Sequence, residues 1–371
     1  MKYHIVVAIP CQKHHREYLE QTGKEKCRFV FYPELSDNWP DIEAVEKKKE
    51  QIYEDIAKAD IIIGEPPLAL VRKMAWSGEN NMVPGEIPPA GPDKEGKYLK
   101  WVQMTWAGTD IYTAPENKSE GEFPASVRLT NMSGAFGTII SEYVMGAVLY
   151  FYRNFGAYLR HQERRLWHTA GAEETLEGKE VLILGTGDIG SQVARRMKCF
   201  DAHVVGYRRN VVDKPPYFDE ICGQEDWISY LKRADVIVAC LPHSAATAGL
   251  IGRNELESMK KDAVFINVGR GKLVKTEELV EVLRTGHLRG VALDVTNPEP
   301  LPADHPLWEM ERVLLTPHIA GVSFGHCAKT EDKIIEICAE NLKHFLNKEA
   351  LRNEIRRETK RDDSSPDSSS F

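Results

Sequence analysis

The stretch Val181-Leu-Ile-Leu-Gly-Thr-Gly-Asp-Ile-Gly190 decides the fold of this 371-residue chain. An apolar run of strand length meets Gly185-x-Gly187-x-x-Gly190, and residues 191–197 have the composition of a following helix. In this setting the first glycine makes a tight turn and the second lets a pyrophosphate approach the backbone, while the third allows close helix packing. The stretch therefore predicts a dinucleotide-binding fold, with phosphate at the helix N-terminus.

The next predicted strand, residues 202–207, ends in Tyr207-Arg208-Arg209 rather than in an acidic residue. An Asp or Glu at this place holds the ribose 2′-hydroxyl of NAD, whereas arginine suits the 2′-phosphate of NADP. We therefore expect NADP as the cofactor, with Arg208 and Arg209 contacting it. The alternative is that both arginines are solvated beside a site that accepts NAD.

Short apolar runs alternate with helical patterns along most of the chain, which predicts parallel sheets with helices on both faces. Predicted strands begin near residues 5, 27, 60, 101, 181, 204, 236, 264, 291 and 313. We expect an α/β fold with two Rossmann-like domains, each a doubly wound parallel sheet. The predicted divisions are a substrate domain over 1–125, a dinucleotide domain over 126–318, a helical region over 319–350 that rejoins the substrate domain, and a disordered polar tail over 351–371.

The sequence also predicts the local structure of two shorter segments. Residues 133–165 have the pattern of one long amphipathic helix, and residues 77–98, rich in Gly, Pro and charges, are predicted to form a long exposed loop.

The overall composition excludes several classes of protein. A net charge of −8 argues against a general nucleic-acid or anionic-membrane binder, and no apolar run is long enough to span a membrane. The seven cysteines show no CxxC pairing, which predicts reduced thiols, a cytoplasmic protein and no metal site.

Arg270, Glu299 and His318 follow three consecutive predicted strands, at the sheet edge where ligands bind in open α/β folds. Arginine forks onto a substrate carboxylate and polarises the adjacent carbonyl. A histidine can protonate the carbonyl oxygen as hydride reaches the carbon, with Glu299 orienting its imidazole. Asp294 is placed to hold the nicotinamide amide. Each residue alone is compatible with a structural role, but together they favour proton-coupled reduction of a carboxylate-bearing substrate.

Several motifs together resemble those of the D-isomer-specific 2-hydroxyacid dehydrogenase family, over roughly residues 100 to 325. They are Ala107-Gly-Thr-Asp110, Gly185-Thr-Gly-Asp-Ile-Gly190, Cys240-Leu-Pro-His-Ser-Ala-Ala-Thr247, Asn267-Val-Gly-Arg-Gly271, Leu293-Asp-Val-Thr-Asn-Pro-Glu-Pro300 and Thr316-Pro-His-Ile-Ala-Gly321. The resemblance implies that Arg270, Glu299 and His318 are catalytic. It also implies a discontinuous substrate domain and a homodimer built around the cofactor domain.

The resemblance assigns binding roles as well. The backbone of Ala107, Gly108 and Thr109 is implied to bind the substrate carboxylate, together with Arg270. The implied cofactor-binding positions are Gly185, Gly187, Asp188, Ile189, Gly190, Arg208, Arg209, Leu241, Pro242, Thr247, Val268, Gly269 and Asp294. Trp106 departs from the family pattern by its bulk.

The expected function is reduction of a small 2-keto acid to a D-2-hydroxy acid with NADPH. Formate- or phosphite-type hydride transfer is a weaker enzymatic alternative. An NAD(P)(H)-sensing corepressor or scaffold on the same fold is the alternative from another class.

Overall fold

The computed structural model describes residues 2–35, 49–75, 99–113, 122–211 and 214–355. The predicted 77–98 loop and most of the predicted tail lie outside these residues. The described chain forms two compact units, the first drawn from both ends of the chain and the second from Ser133 to Lys333.

The first unit is built on a five-stranded parallel sheet in the order β2-β1-β3-β4-β5. Its strands are β1 (Tyr3–Val7), β2 (Cys27–Phe31), β3 (Ile61–Ile63), β4 (Trp101–Gln103) and β5 (Arg128–Thr130). Its helices are α1 (Lys13–Gly23), α2 (Lys49–Ala57), α3 (Leu68–Met74) and α4 (Asp110–Thr113). Continuous apolar runs such as Ile61–Ile63 are buried, as expected for strands covered on both faces.

The second unit contains a seven-stranded parallel sheet in the order β12-β11-β10-β9-β6-β7-β8. Its strands are β6 (Glu180–Leu184), β7 (His203–Tyr207), β8 (Glu220–Cys222), β9 (Val236–Ala239), β10 (Val264–Asn267), β11 (Gly290–Leu293) and β12 (Val313–Leu315). Its helices are α5 (Gly137–Tyr152), α6 (Phe155–Glu163), α7 (Asp188–Lys198), α8 (Trp227–Leu231), α9 (Arg253–Ser258) and α10 (Thr276–Arg284).

Strand β6 pairs with both β7 and β9, so the chain order reverses at β6. A crevice opens at such a reversal, outside the carboxyl ends of the strands, and ligands of open α/β sheets bind there. The Gly185–Gly190 turn follows β6 and therefore lies at the reversal. The two parallel sheets and the discontinuous first unit confirm the predicted fold class.

The chain after the second sheet continues as α11 (Ala328–Asn347), which begins in the second unit and ends in the first. Residues 351–355 of the predicted tail run beside β5, where Ile355 N–H donates to the Leu129 carbonyl oxygen at 2.9 Å. Arg128 forms a bidentate ion pair with Glu354, with N–O distances of 2.6 and 2.7 Å. No helix in these described ranges is both long enough and apolar enough to cross a membrane.

The predicted helix over 133–165 is wrong in one respect, because it is two helices. The break falls at Asn154, which has a left-handed backbone with φ of +52°. Its amide side chain donates to the Ala172 carbonyl oxygen at 2.9 Å. Asparagine tolerates this conformation better than most residues, so α5 ends before Asn154 and α6 begins after it.

Candidate active site

The turn after β6 has the features that the glycine pattern predicts. Gly185 has a φ of +112°, which side-chain-bearing residues rarely adopt. A Cβ on Gly190 would overlap the Gly185 carbonyl oxygen, so the third glycine lets α7 start directly against the turn. A Cβ on Gly187 would meet no atom within 4 Å, so the backbone is open at this point. The turn can therefore accept a phosphate group at the α7 N-terminus.

Side chains fix two neighbouring segments that are predicted to bind the cofactor. The Asp188 carboxylate accepts the Gly137 N–H at 3.0 Å and so caps α5. The Thr247 hydroxyl donates to the Pro242 carbonyl oxygen at 2.8 Å and accepts the Ser244 N–H at 2.9 Å, which closes the loop after β9.

The two arginines after β7 have a different environment. Arg208 is half-buried, and its backbone N–H donates to the Cys222 carbonyl oxygen of β8 at 3.1 Å. Arg209 is exposed. The end of β7 therefore presents positive charge to solvent at the sheet edge where a dinucleotide binds.

The loop after β10 carries Arg270 and is held by a buried amide. Asn267 has no exposed surface, and its side-chain oxygen accepts the Gly269 N–H at 3.1 Å. Its side-chain nitrogen donates to the Arg270 carbonyl oxygen at 2.9 Å. The Arg270 Nη1 donates to the Gly269 carbonyl oxygen at 2.7 Å. Both the backbone and the guanidinium of Arg270 are thus fixed from within the loop.

The loops after β10 and β11 touch through their backbones. A Cβ on Gly271 would overlap the carbonyl group of Thr296, so only glycine permits this approach. Thr276 adds a hydrogen bond from its hydroxyl to the Asn297 carbonyl oxygen at 2.8 Å. The segment that carries Glu299 is therefore packed against the segment that carries Arg270.

Glu299 and His318 form a hydrogen-bonded pair at the end of β12. The His318 Nδ1 lies 2.7 Å from Glu299 Oε1, and both side chains are about half exposed. Because a carboxylate only accepts, Nδ1 carries a hydrogen and Nε2 is the nitrogen left to exchange a proton. The pair has the arrangement of a general acid–base histidine with an orienting carboxylate.

Asp294 fixes the segment that carries this histidine. Its buried carboxylate accepts the Thr316 hydroxyl at 2.7 Å, the Ile319 N–H at 2.8 Å and the Ala320 N–H at 3.0 Å. The Asp294 carbonyl oxygen also accepts the His318 N–H at 2.8 Å. These bonds hold His318 in a left-handed conformation with φ of +56°. The structure thus shows Asp294 fixing the segment that carries His318, and its cofactor contact stays a prediction.

The predicted substrate-binding turn lies in the first unit, after β4. Glu65 was not among the predicted residues, yet its carboxylate accepts the N–H groups of both Thr105 and Trp106. Asn131 donates from its side chain to the Ala107 carbonyl oxygen at 2.7 Å. The turn over Ala107–Thr109 is therefore held on both sides, and Trp106 beside it is half exposed.

Comparisons with known proteins agree with this arrangement. The family model for the NAD binding domain of D-isomer specific 2-hydroxyacid dehydrogenases matches residues 145–320. Glyoxylate/hydroxypyruvate reductase A of Salmonella typhimurium is 31% identical over 263 residues, which cover 70% of this chain and 84% of that protein. An uncharacterized protein of Corynebacterium melassecola is 30% identical over 338 residues, covering 88% and 98% of the two chains.

A solved structure resembles the whole described fold. It is a D-isomer specific 2-hydroxyacid dehydrogenase family protein from Aeromonas salmonicida subsp. salmonicida A449, with a TM-score of 0.74 and 29% sequence identity. The match covers 96% of this chain and 99% of that one.

Proposed function

Because the chain belongs to the D-isomer specific 2-hydroxyacid dehydrogenase family, we propose that it reduces a small 2-keto acid to the D-2-hydroxy acid with NADPH. The observation that carries the proposal is the 2.7 Å pair of His318 and Glu299 on the sheet edge that also presents Arg270 and the glycine turn. The names of relatives such as the Salmonella reductase favour glyoxylate and hydroxypyruvate as substrates.

Arg270 binds the substrate in this proposal. Its planar guanidinium can donate in parallel to a carboxylate and to the adjacent keto oxygen, which fixes the substrate and polarises its carbonyl group. The backbone N–H groups of Ala107, Gly108 and Thr109 are the further carboxylate donors that the family resemblance implies. The buried amide of Asn267 keeps the Arg270 loop in place before substrate arrives.

His318 manages the proton. When bound, NADPH supplies the hydride that reduces the keto carbon. The protonated imidazole gives its Nε2 proton to the substrate oxygen, so that the developing alkoxide becomes a hydroxyl group. Glu299 accepts from Nδ1 throughout, which fixes the ring and stabilises its charge before the proton leaves.

Arg208 and Arg209 carry the preference for NADPH. They follow β7, at the position where an acidic residue would hold the ribose 2′-hydroxyl of NAD. A 2′-phosphate at this place gains charge-assisted hydrogen bonds from arginine. The open backbone at Gly187 and the α7 N-terminus suit the pyrophosphate of either cofactor.

Chiral analysis of the product tests the proposed reaction. The protein is incubated with hydroxypyruvate and excess NADPH, and the glycerate formed is separated on a chiral column. We expect D-glycerate alone, in amounts equal to the NADPH consumed. L-glycerate, a racemic product or no product from hydroxypyruvate and glyoxylate alike would contradict the proposal.

We further propose that the protein is a homodimer joined through the segment that contains α6. Phe155 and Leu159 lie one turn apart on α6, and 50% and 57% of their surfaces are exposed. Leu166 follows the helix and is also 50% exposed. Trp167 is fully exposed. Large apolar side chains clustered on a surface are typical of an interface between proteins.

Sedimentation velocity tests this interface. The wild-type protein should sediment as a dimer, and Trp167→Ala should shift it towards monomer at micromolar concentration. Tyr217→Ala is the matched control, because Tyr217 is a half-exposed aromatic residue shortly before β8, at the opposite edge of the seven-stranded sheet from β12. A monomeric wild-type protein, or equal effects of the two substitutions, would contradict the proposal.

A further inference from the structure

Tyr143 reaches from α5 to the end of β12. Its hydroxyl oxygen lies 2.8 Å from Thr316 Oγ1, although the two residues are 173 positions apart. The single hydroxyl hydrogen of Thr316 is already directed to Asp294 Oδ1 at 2.7 Å, because a carboxylate can only accept. Tyr143 must therefore be the donor to Thr316.

The environment of Tyr143 keeps it a donor. Burial, together with the nearby Asp294 carboxylate, raises the pKa of Tyr143 to about 12. The phenol therefore stays protonated throughout the range in which a histidine titrates. Its hydrogen bond to Thr316 is present in both protonation states of His318.

Three groups thus form a directed chain that ends on the catalytic loop. Tyr143 donates to Thr316, Thr316 donates to Asp294, and Asp294 accepts the N–H groups on the far side of His318. Linked donors and acceptors polarise one another, so each bond orients the next. The chain also ties α5 to the strand end that precedes His318.

We propose that Tyr143 is a positioning residue for the acid–base histidine, acting through Thr316 and Asp294. The expected effect on catalysis rests on the proposed function. The expected effect on the position of the His318 ring does not. Without the phenolic hydroxyl, the Thr316 oxygen loses the donor that fixes its position beside Asp294. The Asp294 carboxylate is then held less firmly. The segment that carries His318 can move, and the imidazole ring is no longer kept in its position against Glu299.

Tyr143→Phe tests the proposal with little change in packing. We expect kcat for keto acid reduction to fall about tenfold, because one hydrogen bond that positions His318 is lost. The KM for the keto acid should stay within twofold, because Tyr143 and its hydrogen-bonded partners lie on no predicted substrate contact. A rise in the KM for the keto acid with kcat unchanged would overturn the positioning role.

The matched control is Tyr230→Phe. Tyr230 donates to Glu220 at 2.8 Å in the same unit, so it loses the same kind of bond away from His318. Its kcat should stay at the wild-type value. Equal losses in both variants would mean a general effect on the fold and would overturn the proposal.

Substitutions of Thr316 test the same hydrogen-bonded chain. Thr316→Val breaks the chain at its centre, whereas Thr316→Ser keeps the hydroxyl and should retain most of the activity. The double variant Tyr143→Phe/Thr316→Val should be no slower than Thr316→Val alone, because both changes break one chain. Fully additive losses would contradict the chain.

Nitrogen-15 NMR of the His318 ring separates this inference from the proposed function. The wild-type protein should show hydrogen fixed on Nδ1 in the neutral ring, and Tyr143→Phe should show mixed tautomers. This result is readable even if no keto acid is reduced, in which case only the proposed function fails. An unchanged His318 signal in Tyr143→Phe would overturn the positioning role whatever the activity.

Discussion

The loop after β12 and the loop after β7 lie in different environments, because the first is anchored by a buried carboxylate and the second carries an exposed arginine. Around His318, the buried Asp294 carboxylate accepts three hydrogen bonds, and a fourth runs from the His318 N–H to the Asp294 carbonyl oxygen. Around the end of β7, Arg208 is half-buried with its backbone N–H on the Cys222 carbonyl oxygen, and Arg209 is exposed. Proton transfer needs a fixed geometry, whereas recognition of a phosphate needs mainly charge within reach. We infer that substitutions in the first loop change kcat, and substitutions in the second change cofactor affinity.

The largest effect is expected at the fixed loop, from His318→Ala. General acid catalysis contributes roughly 10²- to 10⁴-fold to rates, so kcat should fall by a factor in that range. The dissociation constant for NADPH, followed by fluorescence titration, should stay within about twofold, because no predicted cofactor contact is removed. A variant that keeps a tenth or more of the wild-type kcat would show that another group supplies the proton.

A smaller effect is expected from Asp294→Asn, which preserves shape but loses one acceptor. One of the buried donors, such as the Ala320 N–H, then faces an amide NH₂ group instead of oxygen. We expect kcat to fall about tenfold and the free energy of unfolding to fall by about 2 kcal/mol, measured by urea denaturation.

Asp219→Asn is the control for this substitution. The Asp219 carboxylate accepts the Val204 N–H at 2.7 Å and pairs with Lys198 in the same unit. Its loss should lower stability and leave kcat unchanged. Equal losses of kcat in the two variants would contradict a specific role for Asp294 in holding the histidine.

The mildest effect on kcat is expected at the exposed loop. Arg208→Ala with Arg209→Ala should raise the KM for NADPH about 10- to 100-fold, which corresponds to losing charge-assisted hydrogen bonds worth about 1.5–3 kcal/mol. The KM for NADH and both kcat values should change less than threefold. Steady-state kinetics with each cofactor decides this, and equal changes in the two KM values would contradict a contact with the 2′-phosphate.

Much of the fold follows from the sequence because its strands are continuous apolar runs. All six predicted strands of the second sheet are confirmed, and their ends differ from the predicted ones by no more than two residues. The short edge strands Arg128–Thr130 and Glu220–Cys222 were not predicted, because three residues carry little periodic signal. The break at Asn154 was also missed, because the surrounding residues continue a helical pattern.

Within the candidate site, sequence motifs identify residues near strand ends but not their supports. Glu65 lies two residues after β3, so the strand-end rule that identified Arg270 and His318 could also have drawn attention to it. Tyr143 gave no such signal, because it lies within an apolar helix and meets Thr316 only in the folded chain. Long-range side-chain contacts of this kind depend on how helix and sheet pack, which local patterns do not encode.

The most direct test of the central claim measures NADPH and NADH oxidation with a panel of 2-keto acids that includes glyoxylate and hydroxypyruvate. Initial rates at 340 nm give kcat/KM for each pair of cofactor and keto acid. We predict saturable turnover of at least one keto acid, with kcat/KM at least tenfold higher for NADPH than for NADH. Tight binding of NADPH without oxidation by any member of the panel would contradict the account.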